Sequence, residues 1–317
     1  MALVEFAPSK WFNTIGTHEP ECHLKPGDVV RTCTVDAGGA DHRGETVAGR
    51  PNPMTGPFHV EGAEPGDALV MHLIGIKPDR STGWTRNILA GDVLDPDYLQ
   101  GLPVPSPALT VWDVDTAAGL VRVSDGEALP WQSMDPMIGC FGVAPAGGEA
   151  ISTATPGPHG GNMDYRGWRD GVTALFPVSV PGALLYLGDV HALQGDGEIV
   201  GTGIEISAEV EFSVDVVKNQ KLCWPRGYND SDIFVAGSAR PLDQATRHAT
   251  TEVSRWLVDE CGYDLETVHL MMGQRVRYDL GNIYDPAYTM VCRLSRAMLA
   301  DWNLDPGRTG LLPAYIG

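Results

Sequence analysis

The chain has 317 residues, 43% of them hydrophobic and 20% charged, and carries a net charge of −19. That balance fits an ordinary soluble globular protein of one large domain or two, and its acidity disfavours nucleic acid and anionic membrane surfaces as partners. No charged start with an apolar run behind it opens the sequence, and no apolar stretch approaches the ~20 residues that span a bilayer, so no membrane role is expected.

The abundance of glycine (38) and proline (24) predicts many turns and a β-rich fold. Short β-branched runs bounded by Gly, Pro and Asp predict strands at 29–35, 67–76, 108–114 and 120–124. An apolar run over 183–191 predicts another. Over 204–217 Ile204, Ile206, Val210, Phe212 and Val214 alternate with Glu205, Ser207, Glu209, Glu211 and Asp215. This reads as one long strand with a core face and an acidic, solvated face. The segments 25–36, 64–76 and 180–191 each start a strand from a Pro-Gly turn. They are either a trace of internal duplication or the same turn chemistry used repeatedly.

From 218 onward the pattern is mixed α+β. Helical spacing predicts a helix over 241–262, stopped by Gly262, a second from Asp264, and a third over 285–299 with Asp285 as cap and Pro286 in its first turn. The expected division is a β-rich part, 1–217, that carries the functional site, and a mixed part, 218–317, packed on it. The six cysteines (22, 33, 140, 223, 261 and 292) form no CxxC pair and read as reduced, cytoplasmic thiols. Cys140 reads as a buried small hydrophobe rather than a nucleophile.

Three Gly-rich polar stretches stand out. In 181–205 an apolar run delivers Asp189, His191, Gln194, Asp196 and Glu198 within ten positions. If 183–191 is a strand, Asp189 and His191 share a face about 7 Å apart. In 157–164, GPHGGNMD, glycines flank His159 and precede Asn162 and Asp164. In 56–76, Glu61 sits between a strand and a Pro-Gly-Asp turn. Glycines at this density let backbone approach a ligand closely. A plainer reading stands beside each: a turn in GPHGG, a helix cap at Asp164, a solvated acidic turn at Asp196 and Glu198.

The motifs GPFHVEGAEPGD, IGCFGVAP, GPHGGNMD, PVSVPGALLYLGDVHALQGDGE and GTGIEISAEV, in this order over roughly residues 20–215, resemble the acetamidase/formamidase family of amide hydrolases. AGGADHRGE after Asp36 and GNIYDP near the end depart from the family pattern, in stretches read as flanking the substrate pocket. The resemblance implies a mainly β fold, a β-sandwich or barrel-like architecture, a homo-oligomer, and cleavage of a small aliphatic amide such as formamide or acetamide to ammonia and a carboxylate. A lactam hydrolase with a reshaped pocket and a non-catalytic metal- or ligand-binding β protein are the alternatives.

Amide hydrolysis requires an activated water, a polarised carbonyl and a proton for the departing nitrogen. The residue types favour a divalent metal, with Asp36, His159, Asp189 and His191 as candidate ligands and zinc as the metal for such an O/N set. Asp189 and His191 are also the candidate catalytic groups, with Glu61 as general base or acid. Asn162 and Gln194 are the candidate substrate-binding residues. Asp196 and Glu198 are candidates for a second ion. No Gly-x-Ser-x-Gly elbow, Walker loop or dinucleotide fingerprint occurs.

Overall fold

The computed structural model describes residues 2–102, 108–124 and 129–309. The alternation over 204–217 resolves into two strands that belong to different sheets. Glu205–Ile206 pairs with Leu185–His191 and Thr82–Thr85, whereas Ala208–Val217 lies between Val29–Cys33 and Ala68–Pro78. Ser207, wholly buried, marks the crossover and donates to Asp79 Oδ1 at 2.6 Å.

The first sheet has nine strands, in the order Leu3–Phe6, Val29–Cys33, Ala208–Val217, Ala68–Pro78, Thr173–Pro177, Arg226–Tyr228, Asp232–Ala239, Tyr288–Ser295 and Arg277–Asn282. The second has ten. Its centre is Leu185–His191, flanked by Met137–Val143 and Glu205–Ile206 and also bonded to Thr55–Val60. Their apolar faces meet: Leu69, Met71, Leu73, Val210 and Phe212 from the first sheet share one core with Phe58, Ile138, Phe141, Leu187 and Val190 from the second. Each such side chain contributes about 1.5–3 kcal/mol by leaving water. This is a β-sandwich, one of the two architectures the family resemblance implies.

Helices cover the outer face of the first sheet. Leu242–Arg255 buries Ala245, Ala249 and Val253, one face at i, i+4 and i+8, and a π turn extends it through Glu260. Leu265–Arg275 follows, with Asp264 accepting from Thr267 N as its cap. These helices pack with Ile233, Val235, Cys292 and Leu294 in a second core. Trp224 stacks on His248 at 4.4 Å, so His248 is half-buried rather than turned to solvent.

The helix expected over 285–299 is mostly strand. Tyr288–Ser295 pairs on both sides, with Asp232–Ala239 and Arg277–Asn282, and only Arg296–Asp301 is helical. Thr289, Val291 and Cys292 are buried at positions where pairing on both sides of the strand outweighs the helical spacing of the apolar residues. The first sheet therefore continues across residue 217, with its last four strands drawn from beyond it.

Candidate active site

Strand Leu185–His191 supplies two groups of a buried polar cluster. Asp189 has φ +57, a left-handed conformation that costs a non-glycine residue roughly 1–2 kcal/mol. Across the ladder, Gly139 stands between the Ile138–Val190 and Cys140–Gly188 pairs. A Cβ at Gly139 would lie 2.5 Å from Asp164 Oδ1 and 2.9 Å from Asp189 Oδ2. The missing side chain is what admits both carboxylates.

His191 is wholly buried, its ring against Gly203, where a Cβ would come within 2.4 Å. Its tautomer follows from its neighbour. Gln194 Nε2 donates to the carbonyls of Asp164 (2.5 Å) and Gly281 (3.5 Å), so Gln194 Oε1 faces His191 Nδ1 at 2.7 Å and accepts its proton. Nε2 is thereby aimed between Glu205 Oε1 at 3.1 Å and Asp189 Oδ1 at 3.5 Å. Burial alone would lower the His191 pKa, but Glu205 and Asp189 outweigh it and raise it well above the ordinary range. Burial pushes Glu205 up to about 8 against the opposing pull of His191.

Three more carboxyl groups close the cluster. Asp164, Glu198 and Asp285 are all nearly inaccessible. Burial, reinforced by neighbouring carboxylates, holds Asp164 and Glu198 well above the usual range, and burial pushes Asp285 up to about 7. An amide chain ties them together. Asn52 Nδ2 donates to Asp189 Oδ2 (3.0 Å) and Asn162 Oδ1 (2.9 Å), and Asn162 Nδ2 donates to Asp285 Oδ2 (2.6 Å). The cluster forms the floor of a cavity of ≈ 270 Å³ whose walls include Trp84, Asn162, Asp189, Glu198, Glu205 and Asp285.

Buried charges are normally paired or ligate metals. Here His191 Nε2, Asp189 Oδ1, Asp164 Oδ1 and Glu205 Oε2 are buried without a hydrogen-bond partner. Ligand atoms of Asp189, His191 and Glu205 lie within 4.8 Å of one another, as do those of Asp164, His191 and Glu198. One imidazole nitrogen with several carboxylate oxygens suits a divalent cation such as zinc, with Gln194 fixing the ring from behind.

Of the residues singled out in the sequence, Asp189, His191, Gln194 and Asn162 meet here. Gln194 is spent on the imidazole and on two backbone carbonyls, which makes it a positioning residue. Asp36 does not join. Its Oδ1 accepts from Gly38 and Ala40 N, its Oδ2 from Arg80 at 2.7 Å and Trp84 Nε1 at 3.0 Å, which fills its four lone-pair positions. His159 is buried with both ring nitrogens unpartnered, between Gly157 and Gly161. Asn162 pairs with Cys140 beside the cluster, whereas His159 sits in the turn before that strand, its Nε2 3.0 Å from where a Cβ of Gly161 would stand. Burial pulls His159 down to about 4, so it is neutral. Glu61 is exposed in the turn after Thr55–Val60. Thr55 is opposite Leu187, so Glu61 leaves the sheet about 20 Å away along the strand. Asp196 and Glu198 part company: Asp196 pairs with Arg166 on the surface, and Glu198 turns inward. Cys140 donates to Thr153 O and burial raises its pKa well above the ordinary value, so it is no ready nucleophile.

Glu205, Asp285 and Asn52 are site residues that the sequence reading passed over. Glu205 looked like one more acid on a solvated face, and Asp285 like a helix cap. Asn52 carried no local signal, although GNIYDP, which holds Asn282, Tyr284 and Asp285, was marked as pocket-flanking. All six free cysteines stand unbridged. No helix among the described residues is long and apolar enough to cross a membrane.

Fold and site together define a two-sheet β protein with a buried carboxylate–imidazole pocket between strand ends. The family model described as the Acetamidase/Formamidase family matches residues 132–287. The crystal structure of an acetamidase from Yersinia enterocolitica superposes with a TM-score of 0.82 at 31% identity, covering 94% of this chain and 93% of that one. The acetamidase of Mycolicibacterium smegmatis is 27% identical over 60% of this chain and 59% of its own length, and the formamidase of Methylophilus methylotrophus 25% identical over 62% and 61%. The chain thus spans about three-fifths of the length of these curated relatives. The chain belongs to the acetamidase/formamidase family.

Proposed function

We propose that the chain hydrolyses the C–N bond of a linear amide, releasing ammonia and a carboxylate, with water as nucleophile and a divalent metal, zinc in the first instance, held by His191 Nε2, Asp189 and Glu205. The relatives named for acetamide and formamide support the reaction class. When bound, the metal supplies Lewis-acid polarisation of the amide carbonyl and of the attacking water. Gln194 holds the imidazole in the tautomer that leaves Nε2 free. Asn162 keeps a second Nδ2 hydrogen beyond the one given to Asp285, available to the carbonyl oxygen. Asp285 lines the cavity with a pKa of about 7. Facing the cavity, it is the group placed to take a proton from water and return one to the departing nitrogen. The six free thiols fit a cytoplasmic setting.

The observation that carries this reading is His191 Nε2, buried without a hydrogen-bond partner and aimed between the carboxylates of Glu205 and Asp189. It is tested by the metal content of the purified protein and ammonia release from formamide and acetamide, before and after chelation. About one divalent ion per chain is expected, with activity lost on chelation, regained with metal, and abolished in a folded His191→Ala variant. Turnover that survives in metal-free protein refutes it.

A further inference from the structure

Among the described residues, neither of two cations at the pocket has a carboxylate within ion-pair distance. Arg50 and Arg86 are the basic residues of its lining, in a chain of net charge −19. Arg80, Arg166, Arg169 and Arg226 each pair with a carboxylate within 4.0 Å. Arg50 and Arg86 instead lie over rings: Arg50 on Trp84 at 5.4 Å, and Arg86 on Tyr284 at 5.0 Å, where it also donates to the Tyr284 hydroxyl. A guanidinium on an aromatic face keeps most of its donors free. Their footing is fixed. Asn13 donates to the carbonyls on both sides of Arg50, those of Gly49 and Pro51, and Arg86 N donates to Thr202 Oγ1. The Trp84 ring is held by Asp36.

The space agrees. A cavity of ≈ 270 Å³ equals roughly nine water volumes of ~30 Å³ each. Formamide or acetamide would fill only a fraction of that. Acidic groups line the floor, indole and phenol rings with Leu109 line the sides, and guanidiniums complete the wall.

We infer that the preferred substrate is an amide with a short apolar spacer and a carboxylate at the end remote from the scissile bond, the carboxylate being read by Arg50 and Arg86. This rests on the amide-hydrolase reading and adds the substrate class. A bare anion gains nothing from the acidic floor, so the two arginines are what distinguish such a substrate from a neutral amide of equal size. Both are solvent-exposed, so the preference belongs at the lower end for a charge-assisted hydrogen bond, about tenfold.

The test uses metal-replete protein with glutaramate and with 5-oxohexanamide, its neutral counterpart of similar shape. The ratio of kcat/KM for the two is expected to be about tenfold in favour of glutaramate, to arise mainly in KM, and to shrink in strong salt. Arg50→Gln and Arg86→Gln should each lower the ratio, and the double variant should bring it to about one. A ratio of one or less in the native protein, or a ratio unchanged by both substitutions, overturns the inference. Should neither amide be cleaved, the hydrolase reading fails, and calorimetric binding of the same pair decides this one. Tighter binding of glutaramate that depends on the arginines sustains it; equal binding, or none, overturns it.

Discussion

Replacing Gly139 by alanine places one methyl group where two site carboxylates meet. Its Cβ would stand 2.5 Å from Asp164 Oδ1, 2.9 Å from Asp189 Oδ2 and 3.0 Å from Asp189 O. Ordinary carbon contacts begin near 3.5 Å, so the carboxylates must retreat by about 0.5–1 Å. Active groups tolerate about 0.5 Å, and a 1 Å displacement can cost a hundredfold in rate. Gly139→Ala should therefore reduce kcat/KM for amide cleavage by about a hundredfold and weaken metal retention, with an overpacking loss of about 1–3 kcal/mol in stability. Gly75→Ala is the control, because a Cβ there meets only the flexible end of Lys77 at 4.0 Å. Ammonia release, bound metal and urea unfolding are measured on both. Activity within threefold of the native protein in a folded Gly139→Ala chain refutes the argument that this glycine exists to let the carboxylates converge.

Away from the site, Arg226 is wholly buried, bonded to Glu252 and Glu260 and stacked on Trp256. Arg226→Met leaves Glu252, 1% exposed, without its main partner and should cost about 3–5 kcal/mol in urea unfolding; a loss below about 1 kcal/mol contradicts this. His72, hydrogen-bonded to Thr173, is drawn down to about 4 by burial. Its folded pKa lies below the unfolded value of about 6.5, so its contribution is fully present above that pH and lost as pH falls toward 4. His72→Gln should flatten the urea midpoint relative to the native chain within that window, and parallel profiles would refute the assignment.

The β-rich character was legible because strand alternation and Pro-Gly turns are local signals, and Asp189 and His191 because a polar pair closes an apolar run; the sandwich itself came only from the family resemblance. The rest of the site depends on register. Asn162 reaches it because the strand Gly160–Asn162 sets it opposite Cys140, a pairing between residues 22 positions apart that no local pattern announces. Glu61 falls away because Thr55–Val60 runs antiparallel to the strand that bears His191. Glu205 was hidden by a pattern that counts an outward acid the same whether water or a cavity lies outside. Asp285 was hidden because residues 285–299 present apolar spacing compatible with a helix, and only the two flanking strands decide otherwise. Nothing local to Asn52 tells of Asp189, 137 positions away.

The crossover at Ser207 has a mechanical consequence. One continuous backbone enters the second sheet through Glu205–Ile206 and the first through Ala208–Val217, so the two layers are riveted beside the pocket. Sliding one layer over the other would therefore strain the link at Ser207, next to Glu205, which stands opposite His191, so a shear between the layers would be felt at the site.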